Sequence, residues 1–264
     1  MRFRNAVITG ACGGLGQALA RQLLAQGAAV ALVGLNRDAL EQLQALAPER
    51  SRIYAPDVSD SAAMQACAAD WMAGHGAPDL IIANAGVGAG YVTGEAADLA
   101  VFCRVLEINL IGVATTFQPF MAALKPGACL VGVASIAGWR GLPFNGAYCA
   151  SKAGLIAYLQ ALRTEMRASG VQVATVCPGY LRTALTAGNR FAMPGLLEPE
   201  AAAVQMLRRL ARGHEWIVLP RRTGWLARLL NLLPEKIHDR ILLTQPHKPR
   251  VGEAGATEVP GLDP

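Results

Sequence analysis

Thr9-Gly10-Ala11-Cys12-Gly13-Gly14-Leu15-Gly16 lies between the apolar run Ala6-Val7-Ile8 and a helical pattern from Leu15 to Leu24. Glycine at a strand-to-helix turn lets the backbone bend sharply and come close to a bound group. The helix that follows would aim its unpaired N–H groups and the positive end of its dipole at an anion such as a pyrophosphate. The spacing Gly10, Gly14, Gly16 is not G-x-G-x-x-G, so the dinucleotide fingerprint is not met as such. A turn that only packs strand against helix would look the same. The rest of the chain has to decide between these readings.

Outward from that stretch, short apolar runs alternate with longer helical patterns. Ala29 to Val33 precedes Ala39 to Leu46, and Ile53-Tyr54 precedes Ser61 to Met72. Leu80-Ile81-Ile82 leads to a helical pattern from about Leu99 to Leu124. Cys129 to Val133 leads to another, from about Tyr148 to Ala168, and Val171 to Val176 follows. Strands that are apolar at nearly every position, alternating with helices, predict an α/β fold: a doubly wound, Rossmann-like parallel sheet with helices on both faces. No repeat or linker interrupts the pattern before about residue 220, so residues 1–220 read as one domain. Residues 221–245 read as a C-terminal helical extension of it, and 246–264, rich in Pro and Gly, as a poorly ordered tail.

Composition agrees. With 264 residues, 53% of them hydrophobic and 16% charged, the chain has ample material for a large core. No uninterrupted apolar run is long enough to span a bilayer, and strand-like sequence begins too early for a signal peptide. The six cysteines are scattered singly, several inside apolar segments, which predicts free thiols and a cytoplasmic setting. No cysteine or histidine spacing suggests a metal. The net charge of +5 comes with no aromatic-interleaved basic groove, which argues against nucleic acid.

Two residues carry the chemistry most directly. Tyr148 and Lys152 are one helical turn apart and share a face. A phenol is a weak acid near pH 10, and a neighbouring ammonium favours its anion. Such a pair can give a proton to, or take one from, an oxygen whose carbon exchanges hydride. Ser135, where a strand gives way to a loop, can hydrogen-bond the same oxygen. Taken alone, each has a bland alternative: a surface pair, or a turn residue.

Thr-Gly-x-x-x-Gly-x-Gly at the first turn, Asp57-Val58, Asn84-Ala85-Gly86, Asn109, Ser135, Tyr148-x-x-x-Lys152 and Pro178-Gly179 occur in that order over roughly residues 5 to 185. In this the chain resembles the short-chain dehydrogenase/reductase family. The resemblance implies a nicotinamide dinucleotide, with Tyr148 as acid/base, Lys152 also on the nicotinamide ribose, and Asn109 supporting a water in a proton relay to Lys152. It further implies that Gly10, Cys12, Gly14, Leu15 and Gly16 surround the phosphates, and that Asp57 and Val58 meet the adenine. Asn84, Ala85 and Gly86 would lie by the adenosine half, with Pro178, Gly179, Leu181 and Thr183 near the nicotinamide.

Choice of cofactor rests on Leu32-Val33-Gly34-Leu35-Asn36-Arg37-Asp38. Gly34 stands where NAD-using relatives carry an acid, and Leu35 where many NADP-using relatives carry Arg. Asn36 and Arg37 can reach a 2′-phosphate, which favours NADP; they equally suit the start of a helix. Trp139, Leu142, Phe144 and Tyr180 flank the chemical residues in sequence and are expected to wall an apolar pocket for a hydrophobic ketone or secondary alcohol, or to pack in the core. After Trp216-Ile217-Val218-Leu219 the chain continues through Trp225, Leu226, Leu229, Leu230, Leu232 and Leu233, and past Pro234 through Ile237 and Ile241. With Arg221, Arg222, Arg228 and Lys236 beside it, this stripe suits packing within the protein, a homodimer or other homo-oligomer contact, or peripheral membrane contact. The function expected is carbonyl–alcohol interconversion by hydride transfer. The alternatives are a dinucleotide-binding sensor without turnover and a 3-oxoacyl thioester reductase.

Overall fold

Alternate residues of each strand feed different cores. In β1 (Asn5–Thr9) Ala6 and Ile8 join one buried cluster and Val7 the other; in β2 (Ala29–Val33) Val30 and Leu32 side with the first, Ala31 and Val33 with the second. Side chains alternate across a strand, so a run apolar at every position needs a layer on each face. The computed structural model, which describes residues 3–189, 192–243, 248–253, 256 and 259–262, supplies both layers.

The helices enter between strands in chain order. α1 (Gly14–Ala25) follows β1, α2 (Arg37–Gln44) follows β2, and β3 (Ser51–Tyr54) leads to α3 (Ser61–His75). The Asn36 and Asp60 side chains accept hydrogen bonds from Ala39 N and Ala63 N, capping α2 and α3. After β4 (Leu80–Ala83) comes the long helical stretch predicted from the sequence, but it is not uniform. α4 (Asp98–Leu106) passes through a π turn (Glu107–Ile111) into α5 (Gly112–Phe117) and a 3-10 segment (Gln118–Ala123) containing Pro119. By length and composition Asp98–Ala123 would suffice to cross a membrane. Here Ile108, Val113, Phe117 and Phe120 pack into the second core instead.

β5 (Cys129–Val133), α6 (Gly146–Glu165), β6 (Gln172–Pro178), α7 (Ala184–Ala187), α8 (Pro199–Leu210) and β7 (Trp216–Leu219) complete a seven-stranded sheet of order β3-β2-β1-β4-β5-β6-β7. All its ladders are parallel. The order reverses between β1 and β4, and at such a switch point the loops on the carboxyl edge part to leave a crevice.

The helical extension is present as α9 (Arg221–Asn231) and α10 (Glu235–Leu242), split at Pro234. Arg140 donates to the carbonyls of Asn231 (3.1 Å) and Leu233 (2.9 Å), which caps the end of α9. Leu226 and Leu230 of the predicted stripe border the crevice while remaining exposed, and Trp225, Leu229 and Leu232 are exposed outside its wall.

The part of the expected tail that falls on residues 246–247, 254–255, 257–258 and 263–264 lies outside the described residues, and the rest is not loose. The described residues of the tail run along α4. Arg250 makes a two-pronged ion pair with buried Asp98 (2.9 and 3.0 Å), and Gly90 N donates to Pro249 O (2.9 Å). Val259 is buried with Val101 and Val105, and Arg104 Nε donates to Pro260 O (2.7 Å). Paired charges and an apolar anchor hold a segment whose composition carries no helix or strand period.

Candidate active site

A cleft of about 880 Å³ opens at the switch point. Gly10 begins its floor. Its φ of +64° is left-handed, and any side chain there would meet the Ala85 backbone at 2.7 Å. At Gly16 a side chain would overlap the Gly10 carbonyl. These glycines keep the loop and the first turn of α1 pressed together, so that Gly13, Gly14 and Leu15 face the cleft where helix N–H groups lack intrahelical partners. Gly16 itself acts from behind the wall. That cradle fits the phosphates of a dinucleotide. Gln17 Nε2, bonded to Cys12 O at 2.8 Å, steadies the loop, and Cys12 lines the cleft.

Asn84 locks the two strands that diverge here. Its amide donates to the Thr9 and Gly10 carbonyls (both 3.1 Å), while its own N–H donates to Thr9 Oγ1 (3.2 Å). Its side chain therefore shapes the wall, with Ala85 and Gly86 beside it on the cleft. Asp57 and Val58 line the far end. Burial works against the Asp57 charge, but hydrogen bonds from Ser59 and the Arg104 guanidinium hold its carboxyl below the usual range.

The loop after β2 separates the two readings of Asn36 and Arg37. Gly34, Leu35 and Asn36 line the cleft. The Asn36 side chain caps α2, and Arg37 is not in the wall: it pairs with Glu41 at 2.9 Å, its side chain 74% exposed. In this arrangement the helix start engages both side chains, with Asn36 still on the cleft wall and Arg37 outside it.

Ser135, Tyr148, Lys152 and Asn109 come together as expected. Ser135 leaves β5 and caps a 3-10 turn (Ile136–Gly138), accepting from Ala137 N at 3.1 Å. Its hydroxyl also interacts with the Tyr148 phenol. Lys152 Nζ donates to Val133 O at 2.9 Å and lies 5.7 Å from the Tyr148 ring centre. Burial pushes the phenol up to about 12, the Ser135 hydrogen bond opposing, and pushes the Lys152 ammonium down to about 8. The phenol is thus raised here rather than lowered, burial being the largest influence on it, while the Lys152 ammonium is bonded to the Val133 carbonyl.

Asn109 sits in the π turn, fully buried. Its Oδ1 accepts from Val87 N (2.8 Å), and its Nδ2 donates to Val87 O (2.9 Å) and Ser151 Oγ (3.0 Å). Ser151 in turn donates to the Tyr148 carbonyl at 2.7 Å. Through these bonds Asn109 joins the loop after β4 to the helix bearing Tyr148 and Lys152, which makes it a positioning residue. A methyl group on Gly86 would lie 3.2 Å from Asn109 Oδ1 and 3.3 Å from Lys152 Nζ. The π turn follows, since it re-aims one side chain inward from an otherwise regular helix. Replacing Asn109 with Ala strands several buried polar groups and is expected to destabilise the fold by about 2–4 kcal/mol. Urea unfolding measures this, and a loss under about 0.5 kcal/mol would contradict the clamp.

Pro178, Gly179, Leu181 and Thr183 also line the cleft. Thr183 caps α7 and lies against Gly14, so it closes the cleft over the glycine cradle. Of the expected pocket wall, Leu142 and Tyr180 are in place, whereas Trp139 and Phe144 are not among the lining residues. Trp139 stacks towards Trp216 at 6.4 Å, under the Arg228 guanidinium, and so anchors α9. Phe144 occupies a tight turn at φ +58°, and its carbonyl accepts from Tyr91 N. Sequence adjacency to Ser135 and Tyr148 does not settle which way a side chain points.

Sequence reasoning missed the other wall. Leu185 and Asn189, Thr223 with Leu226 and Leu230, and Lys248 with Pro260 all face the cleft. The leucine stripe was the available signal for α9; nothing local marks Lys248.

Residues 4–193 match the family model described as short chain dehydrogenase. The chain is 35% identical over 248 residues to an uncharacterized oxidoreductase of Myxococcus xanthus, covering 90% of this chain and 96% of that one. Among solved structures it resembles a short chain dehydrogenase from Burkholderia cenocepacia in complex with NADP, with a TM-score of 0.78 and 25% identity over 90% of this chain and 97% of that chain. It also resembles a short chain dehydrogenase/reductase from Burkholderia phymatum in complex with NAD, with a TM-score of 0.77 and 25% identity over 92% of this chain and 95% of that chain.

Proposed function

The chain belongs to the short-chain dehydrogenase/reductase family, and from that premise we propose that it interconverts a carbonyl and a secondary alcohol on a hydrophobic small molecule, with Tyr148 as the proton-transferring group. One observation carries this reading: the Ser135 hydroxyl, the Tyr148 phenol and the Lys152 ammonium converge in the cleft floored by the glycine cradle. The bound nicotinamide dinucleotide would supply or accept the hydride. The residues of the chain do the rest. Ser135 orients the substrate oxygen, Tyr148 gives it a proton in the reducing direction, and Lys152 offsets the negative charge left on the phenol. Asn109 holds the two segments at their separation. Leu142, Tyr180, Leu226 and Leu230 surround the substrate body with apolar surface.

NADP is the cofactor we favour. The cleft end of β2 carries Gly34 rather than a carboxylate, which would repel a 2′-phosphate. The Arg37–Glu41 pair is exposed and so contributes little, leaving Arg37 able to turn towards a phosphate beside Asn36. The test is oxidation of NADPH and of NADH across steroids, medium-chain ketones and acyl thioesters. Steady oxidation with an apolar ketone, faster with NADPH, is expected. Dinucleotide binding without oxidation on any substrate would overturn the enzymatic reading, and a preference for thioesters would overturn the substrate class.

A further inference from the structure

Lys248 reaches the cleft from the far end of the chain. A methyl group on Gly88 would lie 3.0 Å from Cδ2 of Tyr148 and 3.2 Å from Lys248 Nζ, so the ammonium and the Tyr148 ring both pack against Gly88. Among the described residues it has one hydrogen-bond partner, the Leu185 carbonyl at 3.1 Å, and no carboxylate. An ammonium has three donors, and with one on a carbonyl the others are left to water and to whatever enters the cleft that Lys248 lines. Burial lowers Lys248 to about 8.

The backbone around Lys248 is held firmly. Gly90 bonds to the neighbouring Pro249 carbonyl, and Arg250 is clamped by Asp98. The other cations on the cleft are engaged elsewhere: Arg140 with the end of α9, and Lys152 with Val133 O. A cation whose backbone is held, with one carbonyl acceptor and facing a mostly apolar space, fits an anion carried by what enters that space.

We propose that Lys248 is a specificity-determining residue that binds the carboxylate of an apolar oxo- or hydroxy-carboxylate substrate whose reacting carbon lies at Tyr148. This rests on the oxidoreductase reading above and narrows its substrate class. The carboxylate replaces water on Nζ, while the apolar body runs along Leu226 and Leu230.

The test has a binding arm that needs no turnover. Calorimetry on NADP⁺-loaded protein compares octanoate with octanamide, and kinetics compare 7-oxooctanoate with its methyl ester. Wild type is expected to favour the carboxylate at least about tenfold, a ratio that falls towards one in Lys248→Met and returns in Lys248→Arg. Should Met loosen the tail, Lys248→Gln read against Lys248→Arg supplies the same comparison. A wild-type ratio near one, or a ratio that survives Lys248→Met and Lys248→Gln, overturns the proposal. So does a Lys248→Met protein that loses dinucleotide affinity while keeping the ratio, since the anion would then be a cofactor phosphate. Failure to oxidise NADPH with any ketone would sink the reaction instead, and the binding ratio would still decide the role of Lys248.

Discussion

Tyr148→Phe is expected to lower kcat by about 10²–10⁴ while leaving dinucleotide affinity nearly unchanged. Phe keeps the ring and its packing and removes the hydroxyl, and with it both the transferable proton and the hydrogen bond to Ser135. With burial holding the phenol up to about 12, Tyr148 is protonated throughout the neutral range and is ready to donate. Reduction of a ketone should therefore proceed at neutral pH without a prior proton loss. Oxidation of the alcohol needs the phenolate and should rise with pH well beyond neutrality, about tenfold per unit where Tyr148 controls the rate. Both behaviours should vanish together in the Phe variant. Stopped-flow reduction and oxidation across pH 6–10, with dinucleotide titrations alongside, make the comparison. Near-normal turnover in Tyr148→Phe would show that another group moves the proton.

The parts of this site that can be read from the chain are those that local spacing encodes. Val7 and Ile8 point to opposite faces because a strand alternates, so an unbroken apolar run already implies two covering layers. Tyr148 and Lys152 share a helix face for the same kind of reason, and the glycines of the first turn permit the left-handed backbone at Gly10 and the close packing at Gly16. Arg37 was harder: a basic residue at a helix start has a cap neighbour and an i+4 acid competing for it, and here Glu41 prevails. Trp139 and Phe144 lie next to the chemistry in sequence yet turn away, since a loop's side-chain directions depend on what packs behind it. The tail is the extreme case. Arg104 meets Pro260 at a separation of 156 residues, and Arg250 meets Asp98 at 152. No period in the segment announces such contacts, and its Pro and Gly content suggests the opposite.

Lys152→Met should lower kcat for reduction by about 10²–10³, because the variant loses the charge that opposes the negative phenol oxygen after proton transfer. Two pH effects of opposite sign identify the cause. Burial lowers the ammonium from 10.5 to about 8, so in the native protein it loses its proton as pH rises through that lower value. Wild-type reduction should accordingly fall above about pH 8, and in Lys152→Met that falling limb should be gone. Stability moves the other way. Between about 8 and 10.5 the unfolded chain still binds the proton that the folded chain has released, so unfolding becomes less favourable as pH rises across that window. Lys248, also lowered to about 8, adds a contribution of the same sign. Lys152→Met should therefore keep only the part of the rise that belongs to Lys248, and the double variant with Lys248→Met should keep neither part. Urea unfolding of the protein without added dinucleotide, at pH 7, 8, 9 and 10, separates the two contributions. A reduction rate that still falls above pH 8 in Lys152→Met would assign that limb to a group other than Lys152, and the ammonium would then be an orienting donor to Val133 rather than a charge acting on the phenol.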